Sequence, residues 1–115
     1  MEIWHNPRCS KSRETLALLT DAGVDPTVRR YLDDPPTVEE LREVVALLDV
    51  QPWDLVRFGE AVAREQGLRD RPREDADAWI DLMVATPRLI ERPIVIDGDR
   101  AVVGRPPTNV EELLP

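Results

Sequence analysis

The apolar residues of this chain change their spacing along its length, and that change restricts the fold more than any single residue does. Residues 2–5 are short and apolar-leaning, suited to a first strand, and Asn6-Pro7 breaks it. From Ser10 onward Leu16, Leu19 and Ala22 recur at near-helical spacing, with Gly23 as a natural terminator. Residues 26–31 read as a second short strand, and Asp33-Asp34-Pro35-Pro36 as a turn. Thr37-Val38-Glu39-Glu40 is a capping box, and Val38, Leu41, Val44, Val45 and Leu48 form one apolar stripe, so a helix should run to about Asp49. Pro52 can open a further short helix through Trp53, Leu55 and Val56. Residues 67–73 read as a charged connector, and residues 75–85, carrying Trp79, Ile80, Met83 and Val84, as a helix that Pro87 stops. Then the period shifts. Ile94-Val95-Ile96 and Ala101-Val102-Val103 flank Asp97-Gly98, the pattern of a hairpin. A second capping box, Thr108 to Glu111, should open a short closing helix. Most of the eleven prolines fall between these segments.

The order is therefore β-α-β, a helical insertion, then β-β-α. It predicts an α/β fold: a central mixed sheet of about four strands flanked by helices. A length of 115 residues suits a single domain spanning residues 1–115. The stripe on the capped helix, with Trp53 and Trp79, is expected to be packing.

Composition narrows the function. A net charge of −8 argues against a nucleic-acid partner, because phosphate binding needs a basic face. Any anion site must be built locally from a few arginines, which screening over roughly 8 Å permits. No apolar run is long enough to span a membrane, and the early Glu2 with no apolar h-region reads as no signal peptide. One cysteine cannot form an internal disulfide. These features together favour a reducing cytoplasm.

That lone cysteine, Cys9, lies with the lone histidine, His5, in "HNPRCSKSRETL". Cys9 falls just before the first helix, where unpaired amides carry partial positive charge and stabilise a thiolate or a bound oxyanion. At a reference pKa of about 8.5 only about 3% of a thiol is ionised at pH 7, and lowering it by about two units makes most of it thiolate. Arg8, Lys11 and Arg13 are close in sequence, and protonated His5 could assist. Against this, a single cysteine can equally be an inert small apolar residue. The chemistry of the segment leaves both roles open. One cysteine and one histidine are too few N/S ligands for structural zinc, so no metal is expected. Ser12 stands where a C-x-x-C motif would place its second cysteine, so any oxidised Cys9 needs an outside thiol.

"HNPRCSKSRETLALL" resembles the active-site segment of the glutaredoxin-linked arsenate reductase family, which has a thioredoxin-like fold. The resemblance continues through "YLDDPPTVEELREVV", "DLVRFGE", "ERPIVIDGDRAVVGRPP" and "EELLP", covering nearly the whole chain in order and suggesting a compact member. It implies that Cys9 is the nucleophile that attacks arsenate and that His5 favours its thiolate. It implies that Arg57, Arg92 and Arg105 bind the oxyanion, with Ser10 and Ser12 in the anion-facing loop and first helical turn. Lys11 makes that loop Ser-Lys-Ser, where the family commonly has Gly-Thr-Ser. Arg92-Pro93 matches the position of the fold's cis-proline. No bound cofactor is implied. Glutathione would serve as thiol co-substrate, and glutaredoxin as the partner that completes reduction to arsenite. Two alternatives stand beside this one: a redox-sensing regulator of the same fold that binds RNA polymerase, and a glutathione-dependent thiol reductase acting on another substrate.

Overall fold

The structure, a computed structural model, describes residues 1–114. Its internal contacts divide the chain into two units. One is Met1–Pro35 joined to the chain from Arg92 onward, and the other is Pro36–Glu91.

The first unit holds the sheet. Strand β1 is Glu2–Trp4, helix α1 Ser10–Asp21, β2 Thr27–Arg29, β3 Ile94–Asp97 and β4 Arg100–Val103. The strands lie in the order β2-β1-β3-β4. β1 runs parallel to β2, with Ile3 opposite Val28, and antiparallel to β3, with Trp4 opposite Ile94. β3 and β4 form the expected hairpin, with Ile94 opposite Val103 and Asp97 opposite Arg100. Gly98 sits in its turn at φ +61, a conformation that glycine adopts without the steric cost other residues meet. Ile3, Leu19, Val95, Val110 and Leu113 form a buried cluster, joining the central strands to α1 and the C-terminal segment.

That last segment departs from expectation. Residues Pro107–Leu113 form a 3₁₀ helix, and no side-chain cap closes its start. The residues that bury are Pro107, Val110 and Leu113. They are spaced by three, and a helix with three residues per turn puts all of them on one face where an α-helix would rotate them apart. Asn109 ties the segment to the hairpin by donating from Nδ2 to the carbonyls of Val103 and Arg105, both at 3.1 Å.

Gly104 is the tightest point of this unit. A Cβ there would lie 2.6 Å from Thr15 Oγ1 on α1 and 2.7 Å from Pro93 Cγ. Neither α1 nor the segment that leads from Pro93 into β3 can yield without disturbing the sheet, so Gly104→Ala should cost about 1–3 kcal/mol by overpacking. The urea unfolding midpoint should fall at unchanged slope.

The second unit is helical. Helix α2, Val38–Leu48, begins at the expected capping box: Thr37 Oγ1 accepts from the Glu40 amide, and Glu40 Oε1 accepts from the Thr37 amide. It buries Leu41, Val44 and Val45 and ends at Asp49 in a left-handed conformation. A 3₁₀ turn follows at Pro52–Leu55. Helix α3, Ala61–Glu65, has no counterpart in the sequence reading, because Ala63 is the one residue it buries and so no apolar stripe announces it. The stretch read as a connector holds a 3₁₀ turn, Leu68–Asp70, pinned by buried Leu68. Helix α4, Ala76–Ala85, is capped by Asp75 and carries fully buried Trp79. Trp53 and Phe58 meet that ring edge-on at 6.3 and 6.2 Å, and its Nε1 donates to the Pro72 carbonyl at 3.2 Å. The tryptophans are packing residues here, although Trp53 is only half-buried. Among the described residues no helix is long and apolar enough to cross a membrane.

Candidate active site

The register of the first unit explains how residues far apart in sequence meet. Trp4 faces Ile94, and Ile94 faces Val103. The segments beginning at His5, ending at Pro93 and beginning at Gly104 therefore leave the sheet at the same end. The amide of Gly104 donates to the Pro93 carbonyl at 2.9 Å. One residue further out, Arg105 Nε donates to the Arg92 carbonyl at 2.8 Å. The Arg92-Pro93 and Arg105-Pro106 peptide bonds are both cis.

The turn from β1 into α1 meets this corner. Asn6 organises it: its carbonyl accepts from the Cys9 amide at 3.0 Å, and its Oδ1 accepts from the Arg8 amide at 3.0 Å. Arg13 adds a strap, donating from Nη1 to the Pro7 carbonyl at 3.0 Å. Cys9 is the residue that caps α1, with extended backbone at φ −94 and ψ 122. The first intrahelical bond runs from the Arg13 amide to the Cys9 carbonyl at 3.0 Å. The amides of Ser10, Lys11 and Ser12 precede it, so no helical acceptor is available to them.

The sulfur is half-buried and reduced. Arg105 Nη2 donates to Cys9 Sγ at 3.4 Å. Partial burial works against the thiolate. The Ser12 and Lys11 amides oppose it, followed by the Arg105 charge and a hydrogen bond from Arg92, and together they hold the thiol below its ordinary pKa.

His5 lies behind the turn, against the first residues of α1. It is 6% exposed, and its Nδ1 lies 2.6 Å from Ser12 Oγ. Burial lowers its pKa, and the charges of Arg30 and Arg13 lower it further. That shift works against a protonated His5 assisting the thiolate through its charge. Ser12 Oγ also accepts from the Asn6 amide at 3.1 Å, so the one hydroxyl joins His5 to the backbone of the turn. His5 thus fixes Ser12, whose amide is one of the dipoles acting on the sulfur. Ser12 lies in the first turn of α1, with its side chain fully buried and its hydroxyl against His5. Ser10 is exposed at that start.

The linked titration of His5 has a definite sign. Folding lowers the pKa of the imidazole, and the unfolded chain protonates it near its ordinary value of about 6.5. The unfolded state therefore binds more protons below that value, and stability is lost as pH falls from about 6.5 toward the lower folded pKa. The thermal midpoint should decline through this window. In His5→Asn the part of that slope due to imidazole should disappear, whatever the variant's stability at neutral pH.

Of the three arginines implied by the resemblance, Arg92 and Arg105 meet Cys9 within the first unit. Arg57 belongs to the second unit, where Glu60 holds its Nε at 3.3 Å and Glu91 its Nη1 at 3.2 Å. The turn organiser Asn6 and the strap Arg13 were not singled out for these roles from the sequence. Asn6-Pro7 carried the turn signal, but nothing local marked the bond from Arg13 to Pro7. Among the described residues no group of three or more His, Cys, Asp and Glu side chains could hold a metal ion.

Comparison with known proteins agrees over the length of the chain. The family model described as "ArsC family" matches residues 4–113. A protein of Streptomyces viridochromogenes, described only as an uncharacterized protein in the glnII region, is 45% identical over 99% of this chain and 98% of its own. An arsenate reductase of Neisseria meningitidis is 41% identical, covering 99% of this chain and 97% of its own. The solved structure of an arsenate reductase from Vibrio cholerae superposes with a TM-score of 0.92 at 44% identity, covering 98% of this chain and 96% of that one. The four-stranded mixed sheet with its helices is the thioredoxin-like α/β fold of those structures.

Proposed function

The chain belongs to the ArsC family, and on that premise we propose that it reduces arsenate to arsenite, with the Cys9 thiolate as nucleophile and glutathione with glutaredoxin as the source of electrons. The observation that carries this role is the 3.4 Å approach of the Arg105 guanidinium to Cys9 Sγ at the start of α1. A cation and a helix terminus on one half-exposed sulfur favour both a thiolate and an incoming oxyanion.

In this scheme arsenate docks at the amides of Ser10 to Ser12 with Arg92 and Arg105. Arg57 is the third arginine implied by family membership, and Glu60 and Glu91 offset its charge. A unit charge about 4 Å from an arginine gains roughly 4 kcal/mol at an effective dielectric of 20, before desolvation is subtracted. Two such groups offset the repulsion of a chain with net charge −8. The thiolate then forms a sulfur–arsenic bond as one oxygen leaves, protonated, as water. Glutathione attacks next. Two thiols end as one disulfide, two electrons pass to arsenic, and arsenite departs. Glutaredoxin and glutathione return the disulfide to thiols. Since Cys9 is the single cysteine, the resolving thiol comes from outside, in keeping with a reducing cytoplasm.

The test combines the protein with arsenate, glutathione, glutaredoxin, glutathione reductase and NADPH. NADPH oxidation should require arsenate, and omitting glutaredoxin should slow it severely. No arsenate-dependent oxidation would overturn the proposal. Turnover of a disulfide in place of arsenate would favour a thiol reductase instead.

A further inference from the structure

The first unit contains a cavity of about 280 Å³ walled by His5, Asn6, Arg8, Arg30, Leu32 and Asp33. The reaction scheme above does not use it. Its lining includes two arginines and one aspartate, in a chain whose net charge is −8. Neither Arg8 nor Arg30 has a side-chain ion pair or hydrogen bond among the described residues, whereas Arg29, Arg42 and Arg57 are all ion-paired. The His5 and Asn6 walls are buried, and groups on both are already engaged: His5 Nδ1 with Ser12, and Asn6 Oδ1 with the Arg8 amide. Leu32 supplies an apolar wall and is 39% exposed. Arg8 immediately precedes Cys9, so their Cα atoms are about 3.8 Å apart. A ligand end held at Arg8 therefore lies beside the turn that carries the sulfur.

We propose that this cavity binds the α-amino-carboxylate end of the peptide thiol that regenerates Cys9, with the carboxylate between Arg8 and Arg30 and the ammonium at Asp33. The assignment rests on the thiol dependence proposed above. Both signs of charge are needed to explain the wall. An inorganic oxyanion would meet the two arginines but be repelled by Asp33, whereas a zwitterionic end satisfies all three. Size agrees. Sites for drug-sized ligands run from about 300 Å³ upward, so a cavity of about 280 Å³ has room for an amino-acid-sized end. The short apolar stem of that end would lie against Leu32.

Thiol–disulfide exchange at Cys9 tests this without arsenate. The Cys9 thiolate attacks oxidised glutathione, a Cys9–glutathione disulfide forms as the original S–S bond breaks, and one glutathione thiolate leaves with the electron pair. Second-order rates would be measured with oxidised glutathione, with the neutral bis(2-hydroxyethyl) disulfide and with dithiodiglycolate, which has carboxylates but no ammonium. Arg30→Ser should slow oxidised glutathione and dithiodiglycolate by about fivefold, the scale of one exposed charge pair, while leaving the neutral disulfide within about twofold. Asp33→Asn should slow oxidised glutathione but not dithiodiglycolate. Equal slowing of all three disulfides by Arg30→Ser would mean that Arg30 acts only through the thiolate, and would overturn the proposal. So would unchanged rates in both variants. If the protein fails to turn over arsenate yet keeps these preferences, the arsenate reading fails and the thiol subsite survives.

Discussion

Cys9→Ser should bring arsenate-dependent NADPH oxidation down to the rate without protein, a loss of at least about a thousandfold. A serine hydroxyl is not ionised near neutral pH, so neither the α1 amides nor Arg105 has an anion to stabilise. The fold should persist, because Cys9 is half-buried and lies outside the cluster of Ile3, Leu19, Val95, Val110 and Leu113. An unchanged unfolding midpoint, measured alongside the assay, separates a chemical loss from a structural one. The pH dependence of the natural protein gives a second readout. Alkylation of Cys9 by iodoacetamide should rise with pH as the thiolate forms, and should reach its half-maximum below the ordinary thiol pKa. A half-maximum at or above the ordinary value would mean that the desolvation of the sulfur outweighs the dipoles and cations around it.

Arg105→Leu is the second large effect. Arg105 is both the cation at the sulfur and the donor that holds the Arg92 carbonyl at 2.8 Å. Its loss removes a charge-assisted contact from the nucleophile and a donor from the oxyanion, which together should lower kcat/KM for arsenate by about a hundredfold to a thousandfold. The half-maximum of alkylation should move to higher pH in the same variant. Arg105→Lys should restore much of the alkylation profile but less of the arsenate kinetics, because an ammonium supplies the charge without the planar fork. If both variants keep the natural arsenate kinetics, the anion is held elsewhere.

The order of elements was legible because each is marked by local chemistry. The capping box at Thr37, the stripe through Leu41 and Val45, and the alternation around Asp97-Gly98 all appear where expected. Local signals failed where burial was sparse or its period unusual. Helix α3 buries Ala63 alone, and the closing segment buries residues at intervals of three, so a capping-box pattern at Thr108 predicted an α-helix where a 3₁₀ helix forms.

The sequence by itself determined the strand and helix order and set an ionisable sulfur at the start of the first helix, because caps and periodicity act over a few residues. Its resemblance to a family then pointed to the distant arginines, which spacing could not group. Only the tertiary structure decided which partners reach the sulfur. The pairing of Trp4 with Ile94, and of Ile94 with Val103, brings residues 9, 92 and 105 to one end of the sheet. It also buried His5 against Ser12, which lowers the pKa of the imidazole. Register and burial are properties of the whole packed unit, and no local pattern encodes them.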